Sequence, residues 1–252
     1  SFNNLIINII YRIKRFFNKT PKEFKPNLNL EVHDIFEDVD KLWLKHMWWG
    51  TYAPTEDHSY QEPNFVIPLG GGEGVKLITD YKPKTNKNNK KVMHFGYGVL
   101  NSKEVYYGGA IEVVVNMRPA ASIWHAPLWF VTEDKVLPEI DVSEVYSEYD
   151  MDEARSETNI HYGTDYNINS KKMGAKEHYL PNIFNRDISF AIKWNKKRIK
   201  IYYDGYLVRK ITKKNILKRI QKGIIPIINV RPSPEFIHTK SEMIVKSFKY
   251  WK

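Results

Sequence analysis

No cysteine occurs among the 252 residues, which excludes a disulfide scaffold, a thiolate zinc site and a thiol nucleophile, and leaves the compartment open. No apolar run approaches the roughly 20 residues that span a bilayer, so the chain as given is not read as an integral membrane protein. Zinc-finger spacing, an RNP aromatic pair and a helix-turn-helix pattern are all missing. "LGGGEG" (69 to 74) lacks the Gly-Lys-Ser/Thr ending of a phosphate loop. It reads instead as a turn before a strand starting at Val75. There is no internal repeat.

What is present is a chain with 42% hydrophobic and 14% aromatic residues. That content argues against disorder, and the length suffices for one sizeable core or two small ones. The formal charge of +10 first suggests an anionic partner. The charges are segregated, however. From Glu133 to Glu157 ten acids face two bases, a net of −8, so the remainder carries +18. From Lys193 to Lys222 twelve Lys or Arg stand against the single acid Asp204. Without a base-reading motif this does not amount to a nucleic-acid surface, and no nucleic acid is expected as partner.

Residues 1–26 differ from the rest. Phe2, Leu5, Ile6, Ile9, Ile10, Ile13, Phe16 and Phe17 recur at helical spacing with Arg12, Lys14 and Arg15 on the flank, and Pro21 and Pro26 close the segment. This predicts a basic amphipathic helix and a linker. The helix would lie on a membrane surface or a larger assembly, or dock on its own domain. Residues 27–252 form the second unit. Runs such as "GVKLITDY" (74 to 81), "GGAIEVVVNM" (108 to 117), "ISFAIKW" (188 to 194) and "IIPIINV" (224 to 230) are β-branched and aromatic between Gly, Asn, Asp and Pro, the texture of an all-β sandwich. Asp204-Gly205 suits a tight hairpin turn. "KPKTNKNNKK" (82 to 91), with five lysines and no acid, reads as a solvated loop.

The stretch Glu139-Ile140-Asp141-Val142-Ser143-Glu144-Val145-Tyr146 carries the chemistry. On a strand Glu139 and Asp141 share one face, and Ile140 and Val142 the other. Glu144 stands at an odd step, which in a flat strand would bury a charge among Val and Ile. A bulge near Val142 or Ser143 would return it to the acidic face. The end carboxylates would then be roughly 13 Å apart at their Cα atoms, at about 3.3 Å per residue. Side chains leaning together shorten that towards the gap of about 5 Å that a retaining glycosidase uses. Three acids on one face repel, so at least one proton is held near neutral pH and the set titrates together. On composition alone a solvated acidic face of an antiparallel sheet explains the same residues. Trp124 and Trp129 upstream and "TNIHYG" (158 to 163) downstream favour the sugar-handling reading, because flat rings are platforms for sugars. Trp48 and Trp49 read first as packing and second as a cleft edge.

"EIDVSE" resembles the E-x-D-x-x-E signature of the bulged branch of glycoside hydrolase family 16, the laminarinases, agarases and carrageenases. The resemblance runs from about Phe65 to Trp251, through "SKEVYYGGAIEVVVNM", "IWHAPLWF", "FAIKWNKKRIKIYYDGYLV" and "MIVKSFKYW". It departs at His125-Ala126-Pro127, Val114 and Ile188-Ser189, positions that bear on the subsites and leave the triplet intact. The resemblance implies a β-jelly-roll sandwich of two curved antiparallel sheets with an open cleft, and endo-acting, retaining hydrolysis of a polysaccharide. β-1,3- or mixed β-1,3/1,4-glucan is the first expectation and a sulfated galactan the second. Glu139 would be the nucleophile, Glu144 the general acid/base and Asp141 the partner of the nucleophile. Trp124, Trp129 and His161 would contact sugar. No cofactor is required, and a structural calcium is compatible. The family setting implies a secreted, extracellular or cell-surface protein, or one carried on a virion. The rival is a non-catalytic carbohydrate-binding or structural sandwich of the same fold.

Overall fold

The computed structural model describes residues 23–53, 58–119, 123–135, 137–147, 154–163, 171–172, 174–178, 180, 182–232 and 240–252, together with Ile6 and Ile9. The expected N-terminal helix otherwise lies outside the described residues; Ile6 and Ile9 are helical, with 39% and 46% of their surface exposed. From Glu23 the chain lies on the sandwich. Phe24 donates its backbone N–H to Gly205 and sets its ring against Tyr202 and Trp251.

In chain order the strands begin with β1 (Leu30–Asp34), β2 (Trp43–Leu44), β3 (Ser59–Gln61), β4 (Val66–Pro68), β5 (Val75–Thr85) and β6 (Val92–Tyr97). Then follow β7 (Val99–Ser102), β8 (Gly109–Met117), β9 (Ile123–Thr132), β10 (Glu139–Ser147), β11 (Ala154–Tyr162) and β12 (Lys171–Lys172). The last are β13 (Lys176–His178), β14 (Asp187–Asn195), β15 (Arg198–Tyr203), β16 (Tyr206–Ile211), β17 (Ile224–Pro232) and β18 (Ser241–Trp251). Among the described residues two short α-helices, α1 (Val39–Leu42) and α2 (Lys214–Ile220), and a 3-10 turn at Pro63–Phe65 interrupt them. Among the described residues no helix is long and apolar enough to cross a membrane.

The larger sheet runs β16-β15-β14-β8-β18-β5-β6-β3, with β1 on β18 and β4 on β5. The smaller runs β12-β11-β10-β9-β17-β7-β2, with β13 on β11. The expected antiparallel sandwich forms, apart from the parallel pair β3–β6. Period-2 alternation builds the core: Ile111, Val113, Val115 and Met117 of β8 face Leu128, Phe130, Ile140 and Val142 of the smaller sheet in one cluster. A second cluster of Met47, Tyr97, Val99, Val131, Ile225 and Ile227 lies on the other face of the smaller sheet, with Trp48, Trp49 and Trp129 packed against it. The segment after β2 therefore folds over that face and walls one end of a cleft.

Local chemistry explains the turns. Asp204 and Gly205 both take positive φ, the conformation a two-residue hairpin between β15 and β16 requires. The glycine-rich stretch turns the chain between β4 and β5. At Gly74 a Cβ would stand 2.2 Å from the Val245 carbonyl, so only glycine lets β5 approach β18. The lysine-rich stretch 82–91 is less of a loop than its composition suggests. β5 continues through Thr85, Lys84 pairs with Met93, and only Asn86–Lys91 turn. Apart from the buried Asn86 these residues are exposed, so the ladder alone extends the hairpin and no apolar alternation marks it in the sequence.

Candidate active site

The register of β10 shows why its acids converge. Against β11, Asp141 pairs with Asn159 and Glu144 with Glu157, so three steps on β10 oppose two on β11. The extra residue is a bulge at Val142-Ser143. Val142 joins the core, and the Ser143 hydroxyl meets Ser156 Oγ at 3.3 Å. Two consecutive residues turned inward bring Glu144 back to the side of Glu139 and Asp141. The Tyr203 hydroxyl lies at 2.8 Å from the Val142 carbonyl and 3.1 Å from that of Glu157, and clamps the bulge from the core side. Tyr203→Phe leaves both buried carbonyls without that donor. It is expected to cost about 1–3 kcal/mol, read as a lower Tm, with activity falling as the bulge loosens; an unchanged Tm and rate would show that the ladder alone sets the bulge.

A second bulge aligns the tryptophans. Trp124 and Trp129 also stand at an odd separation. On β9, Trp129 pairs with Ile227 and Ala126 with Asn229, so three steps oppose two on β17. Pro127, which has no N–H to give the ladder, lies in that irregular stretch. The result is a cleft of about 510 Å³ lined by Trp48, Trp49, Trp124, Trp129, Glu139, Asp141, Glu144, His161, Lys135, Asn229 and Arg231 among others.

Within it Asp141 and Glu144 are only 4% and 8% exposed, which rules out an ordinary solvated acidic face. His161 pairs directly with Glu139 across the β10–β11 ladder, and its Nε2 stands 3.8 Å from Glu139 Oε1 and 3.4 Å from Asp141 Oδ2. Donor atoms of these three lie within 4.8 Å of one another, a spacing that could also hold a cation. Burial, reinforced by the charges of Asp141 and Glu139, pushes the Glu144 carboxyl up to about 8 from its ordinary 4.5. Glu144 Oε2 is buried and has no hydrogen-bond partner among the described residues, an arrangement far less costly for a protonated carboxyl than for a carboxylate.

The structure brings together every residue the sequence singled out, and adds others. Trp48 and Trp49, read first as packing, line the cleft while resting on the second cluster, their rings 4.4 Å apart and edge-on. Trp129 donates from Nε1 to Asn229 Oδ1 at 2.8 Å. Trp124 does not stand alone: the Arg231 guanidinium lies 4.0 Å over its ring, and Tyr146 packs against it at 4.8 Å. Asn229 and Arg231 follow from period 2 along β17, where they interrupt an otherwise apolar run. That interruption is the sequence signal that could have found them. Of the departures from the family pattern, Val114 and Ser189 pair with each other in the larger sheet and Ile188 is in the core, so none of the three lines the cleft.

Solved structures share this architecture. A LamA variant from Z. galactanivorans in complex with laminaritriose and laminaritetraose superposes with a TM-score of 0.72 at 14% identity, covering 89% of this chain and 99% of that one. An endo-1,3-β-glucanase (laminarinase) catalytic domain from Thermotoga petrophila gives 0.69 at 14%, over 90% and 98%. The κ-carrageenase from Pseudoalteromonas carrageenovora gives 0.65 at 16%, over 93% and 99%. No curated protein sequence matches. The profile of the glycosyl hydrolases family 16 matches residues 71–230, well over half of the chain and the part that holds the acidic triplet. The chain belongs to that family and is a glycoside hydrolase.

Proposed function

We propose that the protein is an endo-acting, retaining β-glycosidase that cleaves β-1,3- or mixed β-1,3/1,4-glucan outside the cell by double displacement. The observation that carries this reading is the bulged triplet, in which a carboxyl held protonated to about pH 8 shares a tryptophan-lined cleft with two further acids. Glu139 attacks the anomeric carbon as a carboxylate. The bond to the leaving sugar oxygen breaks as Glu144 delivers its proton there. The resulting ester removes the negative charge of Glu139, one of the charges that hold Glu144 protonated, so Glu144 ionises more readily. It then takes a proton from water, which attacks the same carbon, breaks the ester and returns both carboxyls to their starting state. Two inversions give retention. Asp141, between the two glutamates, is the partner of the nucleophile, and His161, whose Nε2 lies near both Glu139 and Asp141, contacts the glycosyl unit. The tryptophans supply stacking surface. The reaction assigns no step to a cofactor.

A second substrate reading rests on Arg231 and Lys135 in the lining, basic groups suited to a sulfated galactan. Release of reducing ends from laminarin and lichenan, with the β-anomer as first product by NMR, supports the glucan reading; an α-anomer as first product overturns retention. Salt separates the substrates. Between 0.01 and 0.15 M the screening length shrinks from about 30 Å to about 8 Å. KM for a sulfated chain is therefore expected to rise several-fold over that range and KM for a neutral glucan to stay flat.

A further inference from the structure

β14, β15 and β16 form one end of the larger sheet, and Ile192, Trp194, Ile199, Ile201 and Ile211 turn into the core. Alternation therefore sends Lys193 and Lys200 to the outer face, with Arg198 one pleat away. The ladder sets Lys193 directly opposite Lys200, and Lys200 directly opposite Lys210. Beyond Lys193 the row continues through Ala110 of β8 to Trp251 of β18. The row as described thus holds three bases in line across three strands and no acid. Like charges directly opposite on neighbouring strands destabilise a sheet, so this arrangement works against the fold and suits an anionic partner. The cleft opens on the far side of the molecule, beyond the core and the smaller sheet.

The chain before β1 crosses the same outer face. Glu23 bridges to Tyr206 at the β15–β16 hairpin, and the Phe24 ring meets Tyr202 at 5.2 Å and Trp251 at 5.8 Å. Lys193 Nζ donates to the carbonyls of Lys25 and Pro26. Residues 1–22 are thereby tethered beside the lysine row. Their sequence holds five bases and no acid, with large apolar residues at helical spacing. Two of these, Ile6 and Ile9, are helical and exposed. A sulfated polysaccharide matches the lysines and leaves the isoleucines uncovered, whereas an anionic bilayer answers both.

We propose that the outer face of the larger sheet, with Lys193, Lys200 and Lys210 as its basic row, docks on an anionic lipid bilayer into which apolar residues of the adjoining segment 1–22 insert. Headgroup phosphates neutralise the row and acyl chains cover the isoleucines; the two contributions add, since interfacial binding grows with buried apolar area and with attraction to anionic lipid. Docked in this way, the protein holds its cleft away from the lipid, open to a polysaccharide in solution.

Co-sedimentation of the full chain at physiological salt tests this, with vesicles of phosphatidylcholine alone or mixed with phosphatidylglycerol. Binding is expected to the mixed vesicles and little to the neutral ones. Lys200→Gln/Lys210→Gln should weaken it roughly 30-fold, at about fivefold for each lysine near an anionic surface. Its Tm should hold or rise, because the repulsion along the row is relieved. Ile6→Asn/Ile9→Asn should weaken binding by about tenfold or more, as apolar area no longer enters the acyl layer. Parental vesicle affinity in the lysine variant, or equal binding to neutral and anionic vesicles, would overturn the basic surface. Parental affinity in the isoleucine variant, or retention on dextran sulfate without vesicle binding, would overturn the lipid as partner.

Discussion

Glu139→Gln is expected to abolish hydrolysis, with kcat falling on the order of 10⁴-fold or more, because the amide has no charge to develop a bond with the anomeric carbon. The substitution is nearly isosteric and Glu139 is only partly buried, so the fold should persist. Loss of activity through unfolding would show in the thermal scan. A smaller side chain extends the test. Glu139→Ala opens the space the carboxylate held, and azide entering it can attack the activated anomeric carbon from that side. The product would be a glycosyl azide of inverted configuration. Formation of that azide together with silence in its absence identifies the nucleophile. Full hydrolysis by Glu139→Gln would sink the mechanism.

Glu144→Gln should show opposite effects on rate and stability. Acid assistance is worth about 10²- to 10⁴-fold, and that factor should disappear from kcat/KM. In the parent the alkaline limb should fall near pH 8, where Glu144 loses its proton. The sign of the stability effect follows from the same shift. Between pH 4.5 and about 8 the folded protein keeps a proton on Glu144 that the unfolded chain has lost. The native state therefore binds more protons, and stability declines as pH rises through this window. The full loss is on the order of 5 kcal/mol. Glutamine carries no ionisable proton, so this decline should vanish. The variant is expected to melt about 10–20 °C above the parent at pH 9 and close to it at pH 5. Parallel pH profiles for the two proteins would mean that another group carries the raised proton affinity. A catalytic acid whose removal stabilises the fold is the usual signature of a site built against stability.

Much of this site is written in local spacing. The odd step from Glu139 to Glu144 is unaffordable in a flat strand, because it would bury a charge among Val and Ile. A bulge is the remaining solution, and the register shows one at Val142-Ser143. The step from Trp124 to Trp129 contains the same information, with Pro127 as its marker, yet two aromatic residues tolerate either face and so exert no comparable pressure on the reading. The lysine-rich hairpin end was hidden for the converse reason: exposed strand with no apolar alternation looks like loop.

Other residues became visible only through strand order. Arg231 and Trp124 are over 100 residues apart, and they meet because β17 lies beside β9 in the smaller sheet. The Trp48-Trp49 wall depends on a segment folding back over the sheet face, which no periodicity encodes. Tyr146 and Trp124 meet in the same way, their rings brought together across the β9–β10 ladder.

The missing cysteines and the absent nucleic-acid motifs set the limits at the outset, and the alternation, the turns and the acidic triplet gave the sandwich, the family and the catalytic candidates. These are properties of neighbours along one strand, governed by which face a side chain takes and what burial costs it. The tertiary structure decided the proton affinity of Glu144, the basic group over the Trp124 ring and the shape of the cleft. Each of these depends on desolvation and on contacts across strands, and both arise only once two sheets have closed around a common core.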